Sequence, residues 1–381
     1  MLGTELYKQG TQPFLCYENG AVIMESPFPK KKRFREYGFR TGFLPIGNRN
    51  SISDVSGVCV GHTTKIEGEI LRTGVTLIEP GVRNLFGNKI PAAISVGNGF
   101  GKLTGVVQVN ELGTLEAPIA LTNTLAVGPV MRGVVDIMLA ENTTIKPTET
   151  INIVVGETND GFLNNIHQDV ITKEDVRRAY DACSPDVLLG NVGAGTGTRA
   201  FSWKGGIGTA SRVLQVEGKT YTLGILVQTN FGGALTMLGI PIGKILHKTD
   251  FSDFVVSPGG GSCMIVLATD APLTARQLKR VARRTFLGLT RTGSILAHGS
   301  GDFAIAFTTR REGLEGSGLV GACLRDQDLT QFFLAAAEAV EEAVYDALVA
   351  AETMQGRDGN TLEALPIEEV ISLLKKYTLY E

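Results

Sequence analysis

Two side chains capable of nucleophilic chemistry stand together in "PGGGSCMIVLATD", Pro258 to Asp270: Ser262 and Cys263 follow three glycines directly and open an apolar, strand-like run. Glycine lacks Cβ and tolerates backbone conformations that other residues avoid. A serine hydroxyl can attack the carbonyl that precedes it only where that peptide can leave its relaxed geometry, so Gly261–Ser262 is a bond suited to self-cleavage. The ester formed on Oγ then hydrolyses and leaves Ser262 as a new N-terminus. Its α-amine has a reference pKa of about 7.7–8.0, close to what a general base needs at neutral pH. One residue can thus supply both nucleophile and base. On this stretch alone two other uses stay open. One is a tight turn into a core strand. The other is a phosphate cradle, although the stretch lacks the spacing and the lysine of a P-loop and precedes a strand rather than a helix. "GNVGAGTG", Gly190 to Gly197, is an equally weak nucleotide-site signal when taken alone. Cys263 is intrinsically the better nucleophile. One residue further along a strand it points to the other face, where a buried small apolar role suits it.

These residues need a scaffold, and the sequence supplies one. "TINIVVGE", "TLGILVQTN", "SCMIVLATD" and "DFAIAFTT" are short, β-rich and almost continuously apolar, as strands covered on both faces are. Helical periodicity appears in "TNTLAVGPVMRGVVDIMLAEN", opened by Thr122 or Asn123, and in "TKEDVRRAYDA", with Thr172 as N-cap and Asp175 three residues on. It recurs in "TARQLKRVARRTFLGLTRTG", ending at Gly293, and from about Asp328 to Met354. In that last run Phe332, Phe333, Ala336, Val340, Val344 and Leu348 form an apolar stripe, and Glu338, Glu341 and Glu342 are expected mostly on the solvent side. The order of elements suits stacked sheets covered by helices at least as well as a doubly wound sheet. No linker interrupts it, so residues 1–381 read as one catalytic domain.

Composition narrows the function classes. The 381 residues are 43% hydrophobic and 20% charged, with a net charge of −3, which gives no electrostatic reason to expect nucleic acid or an anionic membrane as partner. The one basic cluster, "KKKRFR" at Lys30–Arg35, reads as a solvated face or a subunit contact. Five scattered cysteines without CxxC spacing argue against a disulfide framework or a zinc site and fit a reducing, cytoplasmic compartment. No run of about 18 apolar residues occurs, and no membrane span is expected. Glycine is abundant, at 47 residues, and clusters where apolar runs end.

Long, unusual stretches carry a resemblance across nearly the whole chain: "PIGNRNSISDVSGVCVGHTT", "ISVGNGFGKLTGVVQVNELGTLEAPIALTNT", "VVGETNDG", "KGGIGTASR", "LVQTNFG", "GGGSCMIVLATDAPL", "HGSGDFAIAFTT" and "AETMQGRDGNTLEALP". In these the chain resembles the N-terminal-serine aminopeptidases of peptidase family S58, which include D-aminopeptidase/D-esterase and β-peptidyl aminopeptidases. The resemblance implies a single-domain, four-layer αββα sandwich of the N-terminal-nucleophile type. It implies a precursor cut between Gly261 and Ser262 into 1–261 and 262–381, which assemble as a homo-oligomer of processed heterodimers. It implies release of N-terminal residues from short peptides, amides or esters, without metal or other cofactor.

By the same resemblance, Ser262 is the nucleophile, and Ser300 and Asp302 in "HGSGD" are the serine and carboxylate that orient and assist it. On spacing alone "SGD" would be a turn. His298 invites a Ser–His–Asp triad, because in an extended run His298, Ser300 and Asp302 share one face. The family's chemistry, however, does not use a histidine base. Asn230 in "QTNFG" matches the amide that stabilises the oxyanion. Glu157 in "VGETNDG" matches a carboxylate for the substrate's free amine. Phe162 stands at a substrate-binding position where the family often has tyrosine, so the hydroxyl that could assist there is missing. Two other functions are carried along: acyl transfer of the ornithine acetyltransferase type, where the nucleophile is threonine, and an unprocessed, non-enzymatic homologue.

Overall fold

The computed structural model describes residues 31–251, 261–311 and 323–377, together with the backbone of Leu15–Glu18 and Ala21–Met24. The chain divides into two units, Met1–Lys32 and Arg33–Glu381. In the first, Leu15–Glu18 pairs antiparallel with Ala21–Met24. Everything below concerns the second. Gly259 and Gly260 of the glycine run lie outside the described residues, and Gly261 is the first residue of its strand.

The principal strands are β1 (Cys59–Glu67), β2 (Leu71–Glu79), β3 (Ile90–Gly99), β4 (Thr114–Leu115), β5 (Ile119–Asn123), β6 (Val154–Thr158), β7 (Ile207–Val216), β8 (Lys219–Asn230), β9 (Gly261–Thr269) and β10 (Ser300–Thr308). Four helices cover their outer faces: α1 (Val127–Glu141), α2 (Lys173–Asp181), α3 (Ala275–Arg291) and α4 (Thr330–Val349). One sheet has the order β1-β2-β5-β6, the other β7-β8-β9-β10-β3-β4.

Side-chain alternation sorts the core into three strata, and these make the four layers. Ile78, Leu121 and Val154 meet Leu226, Met264, Val266 and Phe307 between the sheets. Val75, Leu77 and Val155 turn outward under Val130 and Val134 of α1 and Val176 of α2. On the far side Ile265, Leu267 and Ala304 pack under Leu278 and Val281 of α3 and Val340 and Val344 of α4. The αββα sandwich expected from the sequence is therefore present. Because both faces of β9 are covered, its continuous apolar run buries every residue.

The expected start of α2 is present: Thr172 N donates to Asp175 Oδ2 at 2.8 Å. Helix α3 is followed by Gly293 at φ 100°. The expected start of α1 is displaced. Thr122 and Asn123 end β5, and Asn123 Oδ1 accepts from Leu125 N and Ala126 N at 3.1 and 3.2 Å, turning the chain into a helix that begins at Val127. A buried strand running straight into an apolar helix has one continuous hydrophobic pattern, which hides the boundary.

The acids of α4 also depart from expectation. Glu338 and Glu342 are fully buried rather than solvated. Arg212 of β7, itself buried, donates through Nε to Glu338 Oε2 at 3.0 Å and through Nη2 to Glu342 Oε2 at 2.8 Å. Two arginines of the N-terminal basic cluster join them. Arg35 Nη2 reaches Glu342 Oε2 at 2.8 Å and Arg33 Nε reaches Asp346 Oδ2 at 2.8 Å. Buried carboxylates are kept only where cations and hydrogen bonds match them. That need draws Arg33 and Arg35 inward, so this part of the cluster is an internal ion-pair partner and not a solvated face.

Candidate active site

Gly261 must be glycine. A Cβ there would lie 2.9 Å from the Cα of Phe231, a backbone atom that cannot move aside cheaply. In the next residue the Ser262 hydroxyl donates to the Gly261 carbonyl oxygen at 2.5 Å. The Ser262 hydroxyl oxygen thus rests against the carbonyl group of the preceding residue. Alternation along β9 puts Ser262 on the same side as Met264 and Val266, toward the space between the sheets, at the open end of the strand.

Asn230, the last residue of β8, is the direct cross-strand partner of Ser262. Directly paired residues project to the same face, and each of these two is 4% exposed. The carboxamide of Asn230 is oriented from both ends: Arg199 N donates to Oδ1 at 3.1 Å, and Nδ2 donates to Asn159 O at 3.0 Å. A carboxamide has two N–H donors, so one remains for the cleft.

The other neighbour of β9 is β10, parallel to it, in the register Gly261↔Ser300, Ser262↔Gly301 and Cys263↔Asp302. Ser300 Oγ donates to Asp302 Oδ1 at 2.9 Å. Both residues are buried, and Asp302 Oδ2 has no partner among the described residues. Burial pushes the Asp302 carboxyl up to about 6, against the opposing pull of the Ser300 hydrogen bond. Ala304 and Ala306 face the helices, so Ser300 and Asp302 project to that face, together with Cys263. The serine–carboxylate pair therefore flanks the Gly261–Ser262 peptide by register, not the Ser262 hydroxyl across an open face. Cys263 is fully buried on that opposite face, and burial followed by the nearby Asp302 raises its thiol well above the usual range.

His298 does not share the register of Ser300 and Asp302. The strand begins at Ser300, and a turn in which Ser300 N donates to Ala297 O at 2.8 Å precedes it. The imidazole is exposed, with its centroid 6.4 Å from that of Phe100, and it is not among the residues lining the cleft.

That cleft has a volume of about 900 Å³ and is lined by Ser262, Gly261, Asn230, Glu157, Phe162 and Arg199 among others. Glu157, near the end of β6, is 2% exposed, and its Oε1 accepts from Lys102 N at 2.9 Å and Lys102 Nζ at 3.4 Å. Phe162 lies under the Arg199 guanidinium, 5.7 Å from ring centroid to Cζ. Ser300, Asp302 and His298 stand outside this lining. Arg199, Asn159 and Lys102 escaped sequence reasoning. Asn159 sits in the same "GETNDG" stretch as Glu157 and was within reach. Arg199 follows the glycine-rich run without any pattern of its own. Gly190–Gly197 itself packs inward, where a Cβ at Gly195 or Gly197 would strike the backbone of Ile207 or Arg72. Among the described residues no group of three or more His, Cys, Asp or Glu side chains could hold a metal ion, and no helix is long and apolar enough to cross a membrane.

A serine at the head of a central strand, in two sheets held between helical layers, defines a hydrolase of the N-terminal-nucleophile fold. The chain belongs to peptidase family S58, whose family model matches residues 50–362, and it is a hydrolase of the aminopeptidase class. It is 39% identical to the beta-peptidyl aminopeptidase BapA of Sphingosinicella microcystinivorans, with 94% of each chain covered. Its structure is similar to that of the PH0078 protein of Pyrococcus horikoshii OT3, with 43% identity, a TM-score of 0.84 and coverage of 91% of this chain and 99% of that one. It is likewise similar to the L-aminopeptidase D-Ala-esterase/amidase of Ochrobactrum anthropi, described as a prototype of the serine aminopeptidases and a variant of the Ntn hydrolase fold. There the identity is 36%, the TM-score 0.82, and the coverage 91% and 98%.

Proposed function

We propose that this chain cuts its own Gly261–Ser262 bond, giving 1–261 and 262–381, and then releases N-terminal residues from short peptides, amides or esters with Ser262 as nucleophile. The observation that carries the reading is the seating of Ser262 Oγ against Gly261 O, 2.5 Å away, at the mouth of a cleft that also holds Asn230 and Glu157. In the first reaction Oγ bonds to the Gly261 carbonyl carbon, and the C–N bond to Ser262 breaks with a proton passing to the nitrogen. Water then hydrolyses the ester and frees the Ser262 hydroxyl and α-amine.

In the second reaction the α-amine takes the Oγ proton as Oγ attacks the substrate's acyl carbon, and returns it to the departing amine; water, giving its proton to the same α-amine, then hydrolyses the acyl–Oγ ester, releasing the residue as its acid and restoring the hydroxyl. The free Nδ2 hydrogen of Asn230 meets the developing oxyanion. Glu157 holds the substrate's ammonium. Ser300 and Asp302, in register with the severed bond, support the charge on the new amine. The names of the relatives point toward β-amino-acid, L-amino-acid or D-alanine substrates. The free thiols of Cys59, Cys183 and Cys263 fit a reducing, cytoplasmic setting, and an assembly of processed heterodimers is expected from the family.

The test is a panel of L-, D- and β-aminoacyl p-nitroanilides with N-acetylated controls. Hydrolysis of free-amine substrates alone is expected. Efficient cleavage of the acetylated forms would make the protein a general amidase or endopeptidase and overturn the reading.

A further inference from the structure

We infer that Arg199 is a specificity determinant that binds the carboxylate of a short substrate, so that the enzyme favours dipeptides with a free C-terminus over peptides whose C-terminus is neutral. The inference rests on the function proposed above and adds to it the other end of the substrate.

Three long cations line the cleft, and two are occupied. Lys102 Nζ bonds Thr124 Oγ1 at 2.8 Å and Glu157 Oε1 at 3.4 Å. Arg357 pairs with Asp358 and donates through Nε to Gly161 O at 2.6 Å. The half-buried Arg199 guanidinium has neither an ion pair nor a hydrogen-bond acceptor among the described residues; its contact is the face of Phe162. A guanidinium held over an aromatic ring keeps its planar edge of N–H donors free for a carboxylate, which it binds in a bidentate fork.

Its position relative to Ser262 completes the argument. Sheet order puts β8 on one side of Ser262 and β10 on the other. Arg199 is tied to the β8 side, since its backbone N–H holds Asn230, the cross-strand partner of Ser262. Glu157 is tied to the β10 side. A Cβ on Gly101 would lie 3.3 Å from both the Glu157 Oε1 atom and the Gly301 Cα atom, and Gly301 is the register partner of Ser262 in β10. The anion and the unoccupied cation thus flank the nucleophile on opposite sides. A zwitterionic dipeptide, with ammonium on Glu157 and carboxylate on Arg199, lays its amide bond over Ser262. Phe162 lacks a hydroxyl and serves here as the platform that holds the guanidinium.

The experiment compares one aminoacyl-glycine dipeptide with the same dipeptide amidated at its C-terminus, in the parent, R199M and R199K, with thermal midpoints as a check on folding. The parent is expected to prefer the free acid. Its kcat/KM ratio of free acid to amide should fall at least ~10-fold in R199M, mainly through KM, and partly recover in R199K, as loss of a charge-assisted hydrogen bond predicts. An active parent with no preference, or an R199M that lowers both substrates equally, overturns the inference and leaves the aminopeptidase reading standing. A parent that cleaves neither dipeptide nor any aminoacyl p-nitroanilide sinks both.

Discussion

Asn230 and Ser262 lie directly opposite one another across the antiparallel β8–β9 ladder, and the Asn230 carboxamide is locked by Arg199 N and Asn159 O so that one Nδ2 hydrogen is left for the cleft. A donor fixed before the substrate arrives stabilises charge that appears only in the transition state. Removing it with Asn230→Ala is expected to cut kcat by about 10²–10³ while changing KM little. Steady-state kinetics decide this, and a loss confined to KM would make Asn230 a binding residue instead.

Glu157 is expected to select the substrate's free amine. Replacing its charge with Glu157→Gln should raise KM for free-amine peptides by more than ~10-fold, because a charge-assisted hydrogen bond contributes about 1.5–3 kcal/mol. Lys102, which bonds Oε1, should be left with the glutamine oxygen and keep its place. An unchanged KM would remove Glu157 from substrate recognition.

The pH dependence separates Asp302 from His298. With its carboxyl raised to about 6 by burial, Asp302 is protonated at acid pH and charged above about 6. The proposed mechanism needs the charge, so kcat should rise through a limb near pH 6. A histidine with its reference pKa near 6.5 would give a limb in almost the same place, so its position alone is silent. Asp302→Asn should remove the limb and lower kcat at least ~100-fold, whereas His298→Gln should retain the limb and cost under ~10-fold. The stability sign is opposite. A carboxyl raised in the folded state stabilises the fold fully below its ordinary range and loses that contribution as pH rises through about 6. Chemical denaturation should therefore show Asp302→Asn gaining on the parent as pH rises from 4 to 7. A His298→Gln variant that is dead and has lost the limb would establish a histidine base.

Arg212 is the centre of a buried network, with Glu338 and Glu342 at 3.0 and 2.8 Å. Arg212→Met would leave Glu338 without its cation and Glu342 with Arg35 alone, and should cost about 3–5 kcal/mol in urea denaturation. A loss near zero would mean that Arg33 and Arg35, or protonation, can replace it.

Much of this site was legible because chemistry and local geometry coincide in short stretches. The strand alternation that separates Cys263 from Ser262 follows from a period of two, and it holds in β9. The apolar runs gave β6, β8, β9 and β10, since strands buried on both faces leave no polar interruption. What stayed hidden depends on partners distant in sequence. Glu338 and Glu342 look solvated until Arg212, more than a hundred residues away, is packed against them. The expected common face of His298, Ser300 and Asp302 failed because the strand begins only at Ser300, and a turn residue has no register. Arg199 carries no motif and becomes informative only when Asn230 and Phe162 are seen beside it.

The central claim is that Ser262 severs the bond before it and becomes the N-terminal nucleophile. Intact-mass analysis of the purified protein under denaturing conditions tests this most directly. The parent should divide into two fragments that meet at Gly261–Ser262, and Ser262→Ala should remain a single full-length chain without aminopeptidase activity. A Ser262→Ala protein that still splits at that bond, or an uncut parent that hydrolyses aminoacyl substrates, would contradict the account.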